Sequence, residues 1–381
     1  MCIRDRCDYV SGKDESVTSK NSLMGTKSGK KIIKQAMFKS KGYKQFNQYK
    51  EEYETNFPEF ARRFANDLLQ QIKADSSPNT TQQKFGEEVG STEIILDSSQ
   101  IDPIKSKLES FDVLNDRVLR ILNSNFVKMT FPVFNALFDA STEYFQDNKD
   151  PKLRENVVDG HIIAIDLSEP MDRIVDKDED LDYLDDYKLM NPYILKLARD
   201  KIAKGGEQVL KQFEVGFKDA RVGQYIDTKL KQNPTSITEK ELDESYKKYR
   251  SVMGTAGYNM ALSRQPLGEI FQKGMGRASE SVGCGNEIED SIRDKAIKIP
   301  SWPLYYSLLE NDVRKGFELT MEKSELYLND ARSALDSLPE NFSHRPFLEF
   351  LFLTVGHYNE FWFKKLQKTN IWSDLSSNLP K

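Results

Sequence analysis

Two stretches of this chain carry carboxylates at a spacing that could do chemistry. Residues 170–176, PMDRIVD, place Asp172 and Asp176 four apart. Residues 283–294, GCGNEIEDSIRD, place Glu287, Asp290 and Asp294 at helical spacing, with Arg293 beside the last. Residues three or four apart on a helix lie one above the other, so each stretch can aim two carboxylates in one direction. One such pair is ordinarily a solvated face. Two pairs facing each other across a helical cavity would suit hard cations such as Mg²⁺, which take oxygen ligands and bring phosphates with them. Arg293 could offer a planar fork to a phosphate oxygen, or form a surface ion pair with Glu289.

The elements that must position these acids read as helices. The 381 residues suffice for one large domain or two ordinary ones. Hydrophobic residues make up 38% and charged residues 30%, with 20 Gly and 14 Pro, a balance that favours a helical protein over a sheet protein. A net charge of −5 argues against general nucleic-acid binding. The cysteines, Cys2, Cys7 and Cys284, have neither zinc nor disulfide spacing, so a reducing, intracellular compartment, cytoplasmic or organellar, is expected. His161, His344 and His357 show no partner pattern. The most apolar run, residues 347–363, is interrupted by Glu349, His357, Asn359 and Glu360, so it reads as a buried helix and not a membrane span.

In chain order, residues 1–6 (MCIRDR) read as the translation of a library adapter, foreign to the fold, with the true start missing. Residues 1–43, polar and lysine-rich, are expected to be a disordered, dispensable tail. Residues 44–73 repeat aromatics at three and four and predict a helix, and 74–101 a linker. Residues 102–367 then predict one all-α domain, a helical bundle around a central cavity, followed by a tail at 368–381. Within it, 104–123, 152–176, 242–262 and 267–294 each read as one helix, and Thr238 with Glu241 forms a capping-box pattern. The acid run 178–186 reads as a solvated loop, with Asp185–Asp186 a rival metal pair. Gly254 and Gly257 sit inside a helical pattern, each costing about 1 kcal/mol against Ala. Close helix approach, or a break beside a cavity, would explain them.

Several stretches, in order, resemble the squalene and phytoene synthase family, the head-to-head prenyl synthases of the class I isoprenoid fold. Residues 126–134, FVKMTFPVF, resemble its early Ser-x-x-Phe stretch, and 171–176 its first Asp-x-x-x-Asp motif. Residues 215–228, VGFKDARVGQYIDT, resemble its Gly-Met-x-x-Asp segment. Residues 246–260, YKKYRSVMGTAGYNM, resemble its Tyr-Cys-x-x-Val-Ala-Gly-x-Val-Gly, and 283–294 its Gly-x-x-x-Gln-x-x-Asn-x-x-Arg-Asp. Residues 326–339, LYLNDARSALDSLP, are a weaker match to a late motif. Three positions depart from the pattern. Lys298 stands where a further Asp follows the Arg-Asp, Asp290 where the family has Asn, and Glu169 where an Arg precedes the first motif.

The resemblance implies a prenyltransferase that condenses prenyl diphosphates through Mg²⁺-assisted loss of diphosphate and an allylic carbocation. It implies Asp172, Asp176, Asp290 and Asp294 as metal ligands, facing each other across the cavity mouth, with Arg293 on the diphosphate. Asp219 becomes an extra acid near the metals. Lys298, one turn past Asp294 on the same face, could replace one metal ion's charge. Phe126, Phe131, Phe134, Met253, Met260, Gly257 and Tyr327 become candidates around the prenyl chain, because aromatic faces favour positive charge; each also reads as ordinary core. A prenyl substrate implies contact with a membrane surface without a span. Two further readings stay open: a terpene cyclase or head-to-tail synthase on the same fold, and a non-catalytic relative that keeps the bundle for protein assembly.

Overall fold

The computed structural model describes residues 40–74, 98–122, 127–166 and 184–380. Fourteen α-helices, and no strand, occur among the described residues, the all-α class that the apolar spacing predicts. The helices fall into two compact units. Among the described residues, one comprises 46–210 and the other 211–380 with 40–45.

In the first unit the long helix α1 (Lys41–Ala74) turns one aromatic face inward, with Phe46, Tyr53, Phe60, Phe64, Leu68 and Ile72 buried at steps of four or seven. Three shorter helices follow, α2 (Ser98–Leu108), α3 (Phe111–Leu122) and α4 (Val127–Tyr144). Phe131 of α4 meets Tyr53 and Phe60 at ring separations of 5.3 and 6.4 Å. Helices α5 (Pro151–Asp166) and α6 (Leu184–Ile202) pack on each other and are tied to α1 through Arg154–Glu52 at 2.6 Å, Arg63–Asp159 at 3.0 Å and Lys201–Asp67 at 3.2 Å.

Two readings of this region are corrected. The single helix over 104–123 is two, because the chain turns at Glu109 and Ser110, and a serine readily starts a new helix. Asp185 and Asp186 are not loop residues. They open α6, where acids favour the helix dipole, and Asp186 is 3% exposed, held by Lys107 Nζ at 2.6 Å and Arg117 Nε at 2.8 Å. With both cations on it, Asp186 is an ion-pair anchor between α2, α3 and α6 and not a metal ligand. Asp186→Asn is expected to cost about 2 kcal/mol, since hydrogen bonds to charged groups contribute about that much. An unchanged urea midpoint would show that the pair contributes nothing.

The second unit is built on α7 (Glu207–Leu230, from Lys211 onward), α8 (Glu239–Ser245), α9 (Lys247–Met260), α10 (Leu267–Asp294), α11 (Trp302–Glu310), α12 (Val313–Leu335), α13 (Arg345–Gln367) and α14 (Trp372–Ser377). The helix expected over 242–262 is interrupted at Tyr246, where α8 gives way to α9; Thr238 and Glu241 form the predicted capping box. Helix α10 packs on α9, α12 and α13, and its residues from Gly283 to Ser291 are all buried. Only a helix enclosed on every side shows that pattern. Gly254 and Gly257 let α9 come close: a Cβ on Gly257 would lie 2.8 Å from the Phe271 carbonyl oxygen, and one on Gly254 3.0 Å from that of Gln272.

Helices reach into both stretches expected as tails. Helix α1 already begins at Lys41, and Tyr43 packs edge-on against Phe350 at 5.7 Å. Residues 1–39 lie outside the described residues. At the other end, α14 docks through Leu375, fully buried, and Trp372, 5.9 Å from Phe317. Its cap residue Asn378 donates to the Lys295 carbonyl at 3.3 Å. No described helix is long and apolar enough to cross a membrane.

Candidate functional site

The acids of the second motif stand at the C-terminal end of α10. Arg293 bridges the pair, with Nη2 2.9 Å from Asp290 Oδ1 and Nε 2.9 Å from Asp294 Oδ1. It therefore pairs with these two acids, while Glu289, its expected alternative partner, accepts the buried Tyr358 hydroxyl. Lys295, left-handed at φ 51°, ends the helix. Lys298 consequently does not continue the face of Asp294 as expected. It turns back, and its ammonium lies 3.6 Å from Asp290 Oδ2. Burial disfavours that charge, but Tyr249, Asp290 and Asp227 outweigh it and raise the Lys298 ammonium to about 12. A second pair lies close by: Lys248 of α9 sits 2.7 Å from the buried Asp227 of α7.

One turn before Asp290, Glu287 is wholly enclosed. Its Oε2 accepts the Trp302 backbone N–H at 3.1 Å, and the nearby Tyr246 hydroxyl donates to Cys284 Sγ at 3.8 Å. Burial pushes this carboxyl up to about 8, so it holds a proton at neutral pH. Above it the rings of Tyr246, Tyr249, Trp302 and Tyr327 cluster, with Tyr246 stacked on Tyr327 at 6.2 Å. Lys323 lies 4.3 Å from the Trp302 ring centre, so this aromatic face already holds a cation. Trp302, Tyr246 and Tyr249 are not among the residues that sequence reasoning picks out; the closely spaced tyrosines of YKKY, before the Gly254–Gly257 pair, are the signal that could have found them.

Most of the other candidates among the described residues are ordinary core. Asp172 and Asp176 lie outside the described residues, as do Phe126 and Glu169. Phe131 and Phe134 are core residues of the unit 46–210. Met260 is core, Met253 is half-buried on α9, and Gly257 serves helix approach. Tyr327 is core with its hydroxyl on Asp243 at 3.2 Å. Asp219 faces a different place, a cleft of about 340 Å³ that also presents Arg250, Lys273 and Arg277. Arg277 precedes Asp290 on α10 by about 20 Å at a rise of about 1.5 Å per residue, so Asp219 is not an acid of the α10 terminus.

Carboxylates suit Mg²⁺ in kind, yet Asp290 is already neutralised by Arg293 and Lys298. Among the described residues no group of three or more His, Cys, Asp or Glu side chains could hold a metal ion. Asp294, exposed and shared with Arg293, is the acid of this motif open to solvent. No protein-family model matches the chain, and no curated protein is similar to it in sequence. The class that the structure defines is an all-α protein whose enclosed glycine-rich helix ends in a cluster of alternating charges.

Proposed function

We propose that this protein is a prenyltransferase of the squalene and phytoene synthase kind, condensing prenyl diphosphates with Mg²⁺. The observation that carries the reading is the end of α10, where Asp290, Arg293 and Asp294 of the family-like motif meet Lys298 within ion-pair distance. In this reading Asp172, Asp176 and Asp294 would hold Mg²⁺, which when bound neutralises the diphosphate as it departs. Asp290 instead fixes the Arg293 and Lys298 side chains, whose remaining N–H groups take diphosphate oxygens. The allylic C–O bond breaks and its electron pair leaves with the diphosphate. The double bond of a second prenyl diphosphate attacks the cation and a proton is lost, giving a condensed monodiphosphate; loss of its remaining diphosphate and of a second proton leaves the hydrocarbon.

A second reading, a non-catalytic protein that keeps the bundle for assembly, is favoured by the same Lys298 contact, which occupies Asp290 without any metal. The full chain should be incubated with labelled farnesyl or geranylgeranyl diphosphate and Mg²⁺, and the products separated. Condensed hydrocarbon with release of diphosphate is expected. A cyclised product from one substrate would move the reading to a terpene cyclase. No turnover of either substrate would leave the assembly reading.

A further inference from the structure

The cleft that holds Asp219 is walled by α7, α9 and α10, and what lines it is polar. Gly216 of α7 lets the helices meet, since a Cβ there would fall 1.8 Å from Thr255 Oγ1. Three of the lining side chains are cations. Arg250 and Arg277 share one buried carboxylate, Glu280, at 2.9 and 2.8 Å. That carboxylate is 0% exposed, while each arginine keeps about a third of its side chain open, at 30% and 29%. Glu280 therefore fixes two guanidinium groups beside each other and leaves N–H groups toward the cleft. The outer acids Asp330 and Asp243 approach them only at 3.4 and 3.8 Å. Lys273, one turn before Arg277, has a serine hydroxyl, Ser333, as its partner at 3.2 Å.

The rest of the lining is different in kind. Asp219, Gln212, Ser251, Thr255 and Gln272 also line the cleft, and their side chains make no hydrogen bond or ion pair among the described residues. Five hydrogen-bonding side chains on three helices, all turned to one space, are met only by water or by a ligand. Val215 is the only large apolar side chain in the lining, so a prenyl chain does not fit. No aromatic ring is there for a nucleobase to stack on. An anion alone satisfies the cations and is repelled by Asp219 and Glu269. A ligand that suits both sets of side chains carries a charged phosphate and hydroxyl donors.

We propose that this cleft is a binding site for a small phosphorylated polyol of the sugar-phosphate class. The phosphate lies against Arg250, Arg277 and Lys273, and the hydroxyls donate to Asp219. The site is separate from the charge cluster at the end of α10 and does not depend on the prenyltransferase reading.

The test is isothermal titration of the full chain with ribose 5-phosphate, inorganic phosphate and ribose in parallel. Ribose 5-phosphate is expected to bind saturably, phosphate more weakly, and ribose not at all. Asp219→Asn should weaken ribose 5-phosphate roughly tenfold, the loss typical of a charge-assisted hydrogen bond, and leave phosphate unchanged or tighter. Lys273→Ala should weaken both phosphate-bearing ligands. Both positions are surface-accessible, and an unchanged thermal midpoint without ligand checks that the variants fold. The proposal is overturned by no saturable binding of ribose 5-phosphate at millimolar concentration. It is equally overturned if phosphate binds as tightly as ribose 5-phosphate and Asp219→Asn affects neither, which would make the cleft a plain anion site.

Discussion

Between pH 6 and pH 9 the protein is expected to lose several kcal/mol of stability, and Glu287→Gln is expected to remove most of that loss. Glu287 is completely buried on α10, and burial holds its carboxyl at about 8 against an ordinary value of 4.5. A carboxyl raised in the folded state contributes stability that is fully present below about 4.5 and is lost as pH rises through about 8. From below 4.5 to above 8 the loss amounts to roughly 5 kcal/mol, and the part of it that falls between pH 6 and pH 9 to roughly 3 kcal/mol. Two other buried acids act in the same direction: Glu280, raised by burial to about 7 despite its two arginines, and Asp159, raised by burial to about 6 despite Lys201 and Arg63. His161 acts oppositely. Burial lowers it to about 4 from 6.5, so its contribution is present above about 6.5 and lost as pH falls through 4. Stability should therefore peak on the weakly acidic side and decline toward alkaline pH. Glutamine at 287 keeps an acceptor for the Trp302 N–H and cannot ionise. Urea melts of both proteins at pH 6 and pH 9 decide the matter; equal losses in the two would mean that Glu287 is not the group responsible.

The helices are legible in the sequence wherever their periodicity is enforced by an apolar partner. The aromatic face of α1, the capping box before α8 and the close approach at Gly254 and Gly257 all follow from local patterns that tertiary packing preserves. The site is less legible, because charge pairing is decided by distant partners. Asp186 reads as a loop acid until α2 and α3 bring Lys107 and Arg117 to it across 79 and 69 residues. Arg293 has acids three and four residues before it, and helical spacing alone does not choose between Asp290 and Glu289. In the fold Arg293 holds Asp290 and Asp294, and a residue 69 positions beyond Glu289, Tyr358 of α13, donates to that glutamate. Lys298 falls on the face of Asp294 only if the helix runs on, and it stops: the left-handed Lys295 reverses the chain and sends the ammonium back to Asp290. Asp219 joins the motif acids on resemblance alone, whereas α7 meets α9 and α10 near the other end of α10.

Magnesium with inorganic diphosphate is expected to raise the thermal midpoint of this protein by about 5 °C at a hundredfold excess over its dissociation constant, because a ligand that binds only the folded state adds about 2.7 kcal/mol there. The expectation rests on the prenyltransferase reading, in which Asp172 and Asp176 supply carboxylates that the end of α10 does not. Asp172→Asn should abolish the rise. Lys298→Asp is the more discriminating change. In the protein as it stands, the Lys298 ammonium and Arg293 neutralise Asp290, so part of the diphosphate's charge is met without metal. An aspartate at 298 removes that cation and, its side chain being shorter, sets another acid near Asp290 but farther from it than the ammonium stands. Without metal the two carboxylates repel, which lowers the starting midpoint. With magnesium they become a pair that the ion can bridge, so the rise should persist and depend more steeply on magnesium concentration. Diphosphate without magnesium should bind the wild type weakly and the Lys298→Asp variant not at all. A rise in wild type that Asp172→Asn leaves untouched would remove the first motif from the site. A wild type indifferent to magnesium diphosphate would leave Lys298 as a structural counter-ion of Asp290, and with it the assembly reading.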